Sequence, residues 1–120
     1  MLELLFSDDE LTPPAAVAAN AARGLALRRR FRRGGTDVGV ARAEALARRT
    51  PASVVDIRVI AAWFARFGPM RRGRGWGDDA DPSAGWVAWL LWGGDEGRAW
   101  IAPLREKLRA VEAAEGRRRG

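Results

Sequence analysis

Five arginines crowd into one short stretch, LRRRFRRGG, from Leu27 to Gly35. A guanidinium group is a planar fork of donors that matches phosphate and carboxylate oxygens, and adjacent cations repel one another unless a polyanion neutralises them. Nucleic acid, bound through its phosphates with little sequence preference, is therefore the leading predicted partner. A solvated charged face beside the helix dipole and an acidic protein surface stay open as alternatives. The predicted phosphate-binding residues of this stretch are Arg28, Arg29, Arg30, Arg32 and Arg33.

A second basic stretch, RRGRGWG from Arg71 to Gly77, combines arginine and glycine with one tryptophan. Flexible segments of this kind bind single strands by charge and by base stacking. Acidic residues follow it directly, so a loop that neutralises its own charge is the competing interpretation. These carboxylates lack a spaced fourth ligand, so no metal site is predicted. The stretch adds Arg71, Arg72 and Arg74 to the predicted interface, and the acids that follow are Asp78, Asp79 and Asp81.

Four of the six tryptophans lie in PSAGWVAWLLWGGDEGRAW, residues 82–100. On a helix at least two of them share a face, and the Gly-Gly-Asp step ends one helix and begins the next. That step would fold the last tryptophan back towards Trp86 and Trp89. The leading interpretation is a helical hairpin with an aromatic core, while a base-stacking platform and a protein–protein hot spot stay open. The residues assigned to an aromatic core or interface are Trp76, Trp86, Trp89, Trp92 and Trp100.

The chain contains neither cysteine nor histidine. Thiol nucleophiles, disulfides, the usual zinc ligand sets and imidazole acid–base chemistry are therefore excluded. No nucleophile–base constellation stands out among the remaining residues, so we predict a protein that is not an enzyme, with no catalytic residue and no cofactor. The net charge is +6, and Lys107 is the only lysine. A GC-rich genome accounts for arginine in place of lysine, but less well for the excess of positive charge.

These functional stretches require helices to position them. The length of 120 residues suits one domain. A threonine or aspartate followed by proline marks the start of a helix, and a pair of glycines marks an end. Gly24 lies inside the first helix and weakens it unless a neighbour packs closely there. The expected helices run from Thr12–Pro13 to Phe31, from Thr36 through DVGVARAEALARR, from Thr50–Pro51 to Phe67, from Asp81–Pro82 through Trp92, and from Asp95 to about Glu115.

No run shows the strict alternation of a half-buried strand, so the predicted fold is all-α, a compact bundle of about five short helices. We expect an N-terminal extension over residues 1–11, a single helical domain over 12–115 with a loop at 68–81, and a frayed basic tail at 116–120. No stretch approaches the roughly 20 apolar residues of a transmembrane helix, and the opening MLELLFSDDELTPP is not a signal peptide. A soluble intracellular protein without a membrane partner is expected, and oligomerisation stays open.

The third helix, SVVDIRVIAAWFARF, has the strongest apolar pattern. Ile57, Ile60 and Phe64 recur at spacings of three and four, and Val55 and Val59 widen the face. This breadth predicts burial on more than one side and thus a central core helix. Together with the helix before it, residues 41–63 are also loosely compatible with a helix-turn-helix. Ordinary core packing is preferred, because the would-be recognition helix exposes only Asp56, Arg58 and Arg66.

Two sequence blocks, GGTDVGVARAEALA and PSAGWVAWLLWGGDEGRAW, resemble a small module of tailed bacteriophages and prophages. The module has the pattern GGT-x-VG-x-ARA, then a YFARH-like segment, then PSAG-x-x-AW-x-LWGGD-x-G-x-x-W. The resemblance covers about residues 34–102, with AAWFARFGPM as the middle segment and Phe67 at the position of the usual histidine.

This module occurs alone or attached to phage proteins, some of them connected with head assembly. The resemblance implies a viral or prophage origin, with the host cytoplasm or the virion as location, and it carries over no catalytic residue. The leading hypothesis is a phage-type helical module that binds nucleic acid through an Arg-rich face. The alternative is a virion or assembly component, or a small effector, that acts by protein–protein interaction.

Overall fold

The computed structural model describes residues 2–69 and 72–120, and over these residues the chain is all-α, as predicted, with no strand. Five helices of eight residues or more follow two short N-terminal turns. The elements are a 3₁₀ turn at Leu2–Leu5, α1 at Asp8–Leu11, α2 at Ala15–Phe31, α3 at Asp37–Ala47, α4 at Val54–Phe67, α5 at Ala84–Leu91 and α6 at Gly94–Arg119.

The first long helix, α2, begins later than predicted. Thr12 is not its N-cap, since the Thr12 hydroxyl donates to the Asp8 carbonyl at 2.8 Å and ends α1. The preceding residues form this extra turn because Ser7 and Glu10 make a reciprocal capping box. The Thr-Pro pair therefore belongs to the connection, and α2 starts at Ala15.

The segment predicted as an N-terminal extension packs against the domain. Phe6 and Leu11 are buried in the core. Lys107 of α6 donates to the Glu10 carboxylate at 3.1 Å, and the Trp100 indole N–H donates to the Glu10 carbonyl at 3.0 Å. Residues 6–11 thus cover one side of α6.

Serine residues cap α4 and α5. The Ser53 hydroxyl accepts from the Asp56 N–H at 3.1 Å, and the Ser83 hydroxyl accepts from the Trp86 N–H at 3.0 Å. The starts predicted at Thr50 and Asp81 are therefore displaced by two or three residues. At both helices the serine hydroxyl accepts the N–H three residues on, and at α4 the Asp56 carboxylate completes a capping box with Ser53, so the helices begin at these serines. The prediction of Thr36 as the N-cap of α3 is confirmed. The predicted end of α4 at Gly68 is confirmed as well.

The centre of the bundle is α2, which packs against α3, α5 and α6, whereas α4 packs chiefly on α6. The prediction of α4 as a central helix buried on more than one side is thus wrong. Val55 and Val59 are 63% and 38% exposed, so only one side of α4 is covered. The buried side chains of α4 are Val54, Ile57, Ile60 and Phe64.

Gly24 lets α2 and α5 approach with their backbones in contact. A Cβ at Gly24 would lie 2.8 Å from the Leu91 nitrogen and 3.0 Å from the Leu90 Cβ. The close neighbour that a mid-helix glycine requires is therefore the backbone of α5. Through this crossing, the short apolar helix α5 is buried between α2 and the aromatic side chains of α4.

The corner between α5 and α6 is built on two glycines with positive φ, Gly93 at 111° and Gly94 at 68°. The predicted break is confirmed, but Gly93 rather than Asp95 occupies the N-cap position of α6. The Asp95 carboxylate instead accepts the Trp89 indole N–H at 2.8 Å. Beyond this corner α6 continues past Pro103 to Arg119, so the tail predicted to fray forms the last helical turns.

Asp56 links α3 to α4. Its carboxylate accepts from the Ser53 N–H at 2.9 Å and from Arg42 at 2.8 Å. Burial alone would raise the pKa of Asp56, but the hydrogen bonds from Ser53 and Arg42 outweigh it and hold that pKa below the usual 3.8. A carboxyl group with a lower pKa in the folded state contributes stability that is complete above its unfolded pKa and lost as the pH falls through its folded pKa.

We therefore expect the melting temperature of the protein to fall as the pH drops below about 4, the unfolded pKa of aspartate. Thermal melts followed by circular dichroism at pH 7 and pH 3 measure this change. Asp56→Asn should melt at a lower temperature at pH 7 and lose less on acidification. A wild-type melting temperature that is the same at both pH values, or an equal loss in the variant, would contradict the assignment.

Candidate nucleic-acid interface

Arginine side chains from the end of α2 surround one open hollow of about 600 Å³. Arg28 and Arg29 lie on the last turn of α2, and Arg32 and Arg33 follow its end at Phe31, so the turn after the helix brings the two pairs together. Arg30, the fifth predicted residue, does not line the hollow, and its guanidinium lies 5.0 Å from the centre of the Phe31 ring. The lining of this arginine hollow is Arg28, Arg29, Arg32, Arg33, Gly34 and Gly35.

The turn after α2 fixes the arginine hollow against the core. Arg28 donates from Nε to the Gly34 carbonyl at 3.0 Å. Gly34 has a φ of +86°, and a Cβ there would lie 2.6 Å from the Ala84 carbonyl oxygen of α5. Only glycine meets both requirements, because the conformation is left-handed and the space is filled. The guanidinium groups are therefore presented by a turn that packs directly on α5.

Arg32 ends α2 in a left-handed conformation, with φ 53° and ψ 46°. This conformation costs a residue other than glycine about 1 kcal/mol. Arg49 is also left-handed, but its Nε donates to the Pro13 carbonyl at 2.7 Å, which gives its side chain a structural role. The Arg32 side chain is exposed and pairs with no carboxylate among the described residues. Its guanidinium is thus available to a ligand.

Most of the positive charge at the end of α2 is uncompensated. Of the five arginines in residues 28–33, only Arg33 forms an ion pair with a carboxylate that the structure describes, at 3.2 Å from Asp81. Arg33 also donates to the Pro82 carbonyl at 2.9 Å. The other four arginines of the stretch therefore keep their full charge, and three of them are exposed: Arg29, Arg30 and Arg32.

The arginines of the loop lie elsewhere. Arg72 stacks over two indoles, 4.7 Å from the Trp76 ring and 5.1 Å from the Trp89 ring, and lies 3.7 Å from the Asp95 carboxylate. Arg74 is exposed and, like Arg72, does not line the arginine hollow. Arg71 lies outside the described residues. The structure thus brings together four of the eight predicted phosphate-binding residues.

The acids of the loop neutralise α2 rather than the loop. The Asp79 carboxylate accepts from Arg23 at 3.0 Å and from the Trp86 indole N–H at 2.9 Å. The hydrogen bond from Arg23, aided by that from Trp86, lowers the pKa of Asp79 despite partial burial. Asp78 accepts from the Ala80 N–H at 2.9 Å. These contacts anchor the loop on α2, and they place the charge of Asp79 beside Arg23 instead of beside the loop arginines.

Five of the six tryptophans, all except Trp100, form one connected aromatic cluster. Trp63 of α4 stacks on Trp92 with ring centres 5.0 Å apart, and Trp76 of the loop lies 5.2 Å from Trp86 and 5.6 Å from Trp89. Trp89 and Trp92 are almost fully buried. The aromatic-core interpretation therefore describes most of the predicted set, and it gains Trp63 as the ring that joins α4 to α5.

Two observations weigh against a base-stacking platform. Guanidinium groups already lie over two of the partly exposed rings, Arg23 at 5.4 Å from Trp86 and Arg72 at 4.7 Å from Trp76. Trp100 does not fold back as predicted, since its indole N–H donates to Glu10 at the N-terminal segment. Trp100 therefore faces α1 rather than Trp86 and Trp89.

The three side chains that a helix-turn-helix would use to contact base edges already have partners within the protein. Asp56 is occupied by Ser53 and Arg42, and Arg58 forms an ion pair with Glu112 of α6. Arg66 lies over the Phe67 ring at 5.2 Å. The rest of the exposed surface of α4 is apolar, with Val55, Val59, Ala62 and Ala65, and offers no further donors or acceptors for base edges.

No family model, curated protein or solved structure matches this chain. Within the described residues, no helix has both the length and the apolarity to cross a membrane. The same part of the chain holds no group of three or more acidic side chains placed to bind a metal ion.

Proposed function

We propose that this chain binds nucleic acid through the phosphate backbone at the arginine hollow. The observation that carries the proposal is the convergence of four guanidinium groups on one surface, with a single carboxylate paired among them. Clustered cations on a protein surface attract a polyanion and release its condensed counterions. The strained, unpaired Arg32 supports the same role.

Sequence-independent binding follows from the surroundings of the arginine hollow. Phosphate contacts position a protein on the duplex but carry no sequence information. Asn and Gln side chains, the usual readers of adenine, are absent from the hollow, whose lining is arginine and glycine. Arginine can also contact guanine, so equal affinity for unrelated duplexes is the result expected if these arginines contact phosphates. The proposed role is binding, and no catalytic residue is proposed. The proposal includes the phage or prophage setting that the two sequence blocks imply, in the host cytoplasm or the virion.

A gel-shift titration of labelled duplex DNA across a range of salt concentrations tests the proposal. If the four arginines of the hollow each neutralise one phosphate, the logarithm of the affinity falls with the logarithm of salt with a slope of about −4. Duplexes of unrelated sequence should bind with equal affinity, and RNA serves as a parallel probe. Absence of binding to DNA and RNA at low salt would overturn the proposal.

A second candidate function is protein–protein interaction, as a virion or assembly component or a small effector. The observation that favours it is a groove between α4 and α6 with an apolar floor and an arginine rim. This groove is separate from the arginine hollow, since the two share no lining residue. Light scattering with and without DNA tests the two functions separately, because added DNA raises the mass only if the chain binds nucleic acid, whereas self-association without DNA reports on a protein partner.

A further inference from the structure

The α4–α6 groove is an open hollow of about 380 Å³ between these two helices. Its apolar lining includes Phe64 and Ile101 together with small side chains such as Ala61, Ala65 and Ala102, which leave room for side chains from outside. Its rim carries Arg98, Arg105 and Arg109.

The rim is short of negative charge. Arg98 pairs with no carboxylate among the described side chains, and Arg109 comes only within 3.9 Å of Glu106. The buried Arg105 Nη1 has no hydrogen-bond partner, and its nearest carboxylate, Glu112, lies 3.8 Å away. Arg98 and Arg109 thus lack a close carboxylate partner, so an occupant with acidic side chains would complement the charge of this groove.

The apolar surface extends beyond the groove along α4. Val55 and Val59, one turn apart, are 63% and 38% exposed, and the next position of the same stripe is Ala62, which lines the groove. Apolar surface of this kind, bordered by charge, is typical of an interaction site. The occupant should therefore combine large apolar side chains with acidic ones.

The N-terminal segment of the chain has that composition. Leu4 and Leu5 are 82% and 49% exposed, and Asp8 and Asp9 of α1 are exposed as well. No ion pair involves either aspartate within the described part of the chain. The segment thus presents two leucines and two free carboxylates on one short stretch.

The segment and the groove lie on opposite sides of α6. Lys107 and Trp100 face α1, whereas Arg105 and Arg98 face the groove. Arg105 lies two residues before Lys107, and Arg98 lies two residues before Trp100. Two residues correspond to about 200° around a helix of 3.6 residues per turn, so the two pairs point in nearly opposite directions. The segment therefore cannot fill the groove of its own chain.

We propose that this chain self-associates head to tail, with Leu4 and Leu5 of one copy seated in the α4–α6 groove of the next. Asp8 and Asp9 would approach the arginine rim, where Arg98 has no described carboxylate partner. A contact between two different surfaces is heterologous and propagates into rings or open chains. The inference is independent of the nucleic-acid proposal, since it uses neither the hollow nor its arginines.

Sedimentation velocity over a range of protein concentrations up to about 1 mM, where weak contacts are populated, tests this inference. The mass of the wild-type protein should rise with concentration. Leu4→Ser combined with Leu5→Ser removes the apolar anchor, and Ala65→Glu fills the groove floor with an acid. Each variant alone should remain monomeric. The matched controls are Val38→Ser and Ala113→Glu, at exposed positions outside both surfaces, and they should associate like the wild type.

An equimolar mixture of the two variants is the decisive sample. One partner retains an intact groove and the other an intact N-terminal segment, so the mixture should form dimers and nothing larger. Circular dichroism melts verify that both variants fold. A wild-type protein that stays monomeric throughout the range, or a mixture that stays monomeric, would overturn the inference. So would loss of DNA binding in Ala65→Glu without any change in mass, which would make the groove a nucleic-acid surface.

Discussion

Replacing Arg29 and Arg32 together with glutamine should lower the affinity for duplex DNA by roughly 30- to 100-fold at low salt and reduce the salt slope by about 2. Both side chains are exposed, line the arginine hollow and pair with no described carboxylate. Their charge is therefore fully available to phosphate in the free protein. Glutamine retains hydrogen-bonding capacity, so the loss measures charge, and gel shifts at several salt concentrations give both the affinity and the slope.

The matched control removes the same charge at a distance. Arg117 and Arg118 are exposed on the last turn of α6 and pair with no carboxylate among the described side chains. Their double replacement with glutamine should change the affinity by no more than about threefold if the site lies at the arginine hollow. An equal loss in the two double variants would mean that net charge alone sets the affinity, and it would remove the hollow from the proposal.

The arginine hollow was predictable because its signal is local. Arginines that are adjacent in the chain stay close together in any fold, and the Gly-Gly step after them favours a turn that ends the helix beside them. The fate of the loop was not predictable in this way. Asp79 pairs with Arg23, 56 residues away, and Arg72 stacks on Trp89, so both partners are set by how the loop packs on the bundle.

The α4–α6 groove gave no signal in the sequence. Its alanines look like ordinary helix formers, and its arginines are scattered over two helices more than 30 residues apart in the chain. They meet only because α4 packs on α6 through Ile60 and Phe64 on one side and Ile101 and Leu104 on the other. A surface assembled from two distant helices requires the tertiary fold before it can be recognised.

Errors about helices have a similar origin. The apolar positions of α4 are compatible with burial on two sides, and no local property says how many neighbours the fold supplies. The all-apolar helix α5 is instead the helix buried against the central α2, because Gly24 allows it to lie directly on α2. One residue without a side chain therefore decides which helix becomes the interior partner, and its replacement provides the sharpest test of the architecture.

Gly24→Ala should destabilise the protein by about 2–3 kcal/mol, although glycine to alanine within a helix ordinarily stabilises by up to about 1 kcal/mol. The new Cβ would meet the Leu91 nitrogen at 2.8 Å and the Leu90 carbonyl carbon at 3.1 Å. Both atoms belong to the backbone of α5, so no side-chain rotation relieves the contact and the two helices must separate. Separation opens the core along the whole crossing, which adds lost packing to the steric cost.

Gly116→Ala in α6 is the matched control, because nothing lies within 4 Å of the position where its Cβ would be added. This substitution should stabilise the protein by up to about 1 kcal/mol, the ordinary helix-propensity gain. Urea unfolding of both variants measures the two free-energy changes, with an unchanged dependence on urea as the sign that the denatured state is the same. Opposite signs for one substitution at two helical glycines would establish the α2–α5 backbone contact. A stabilised Gly24→Ala would mean that the helices lie further apart, and the turn presenting Arg28 and Arg32 would then lose its support on α5.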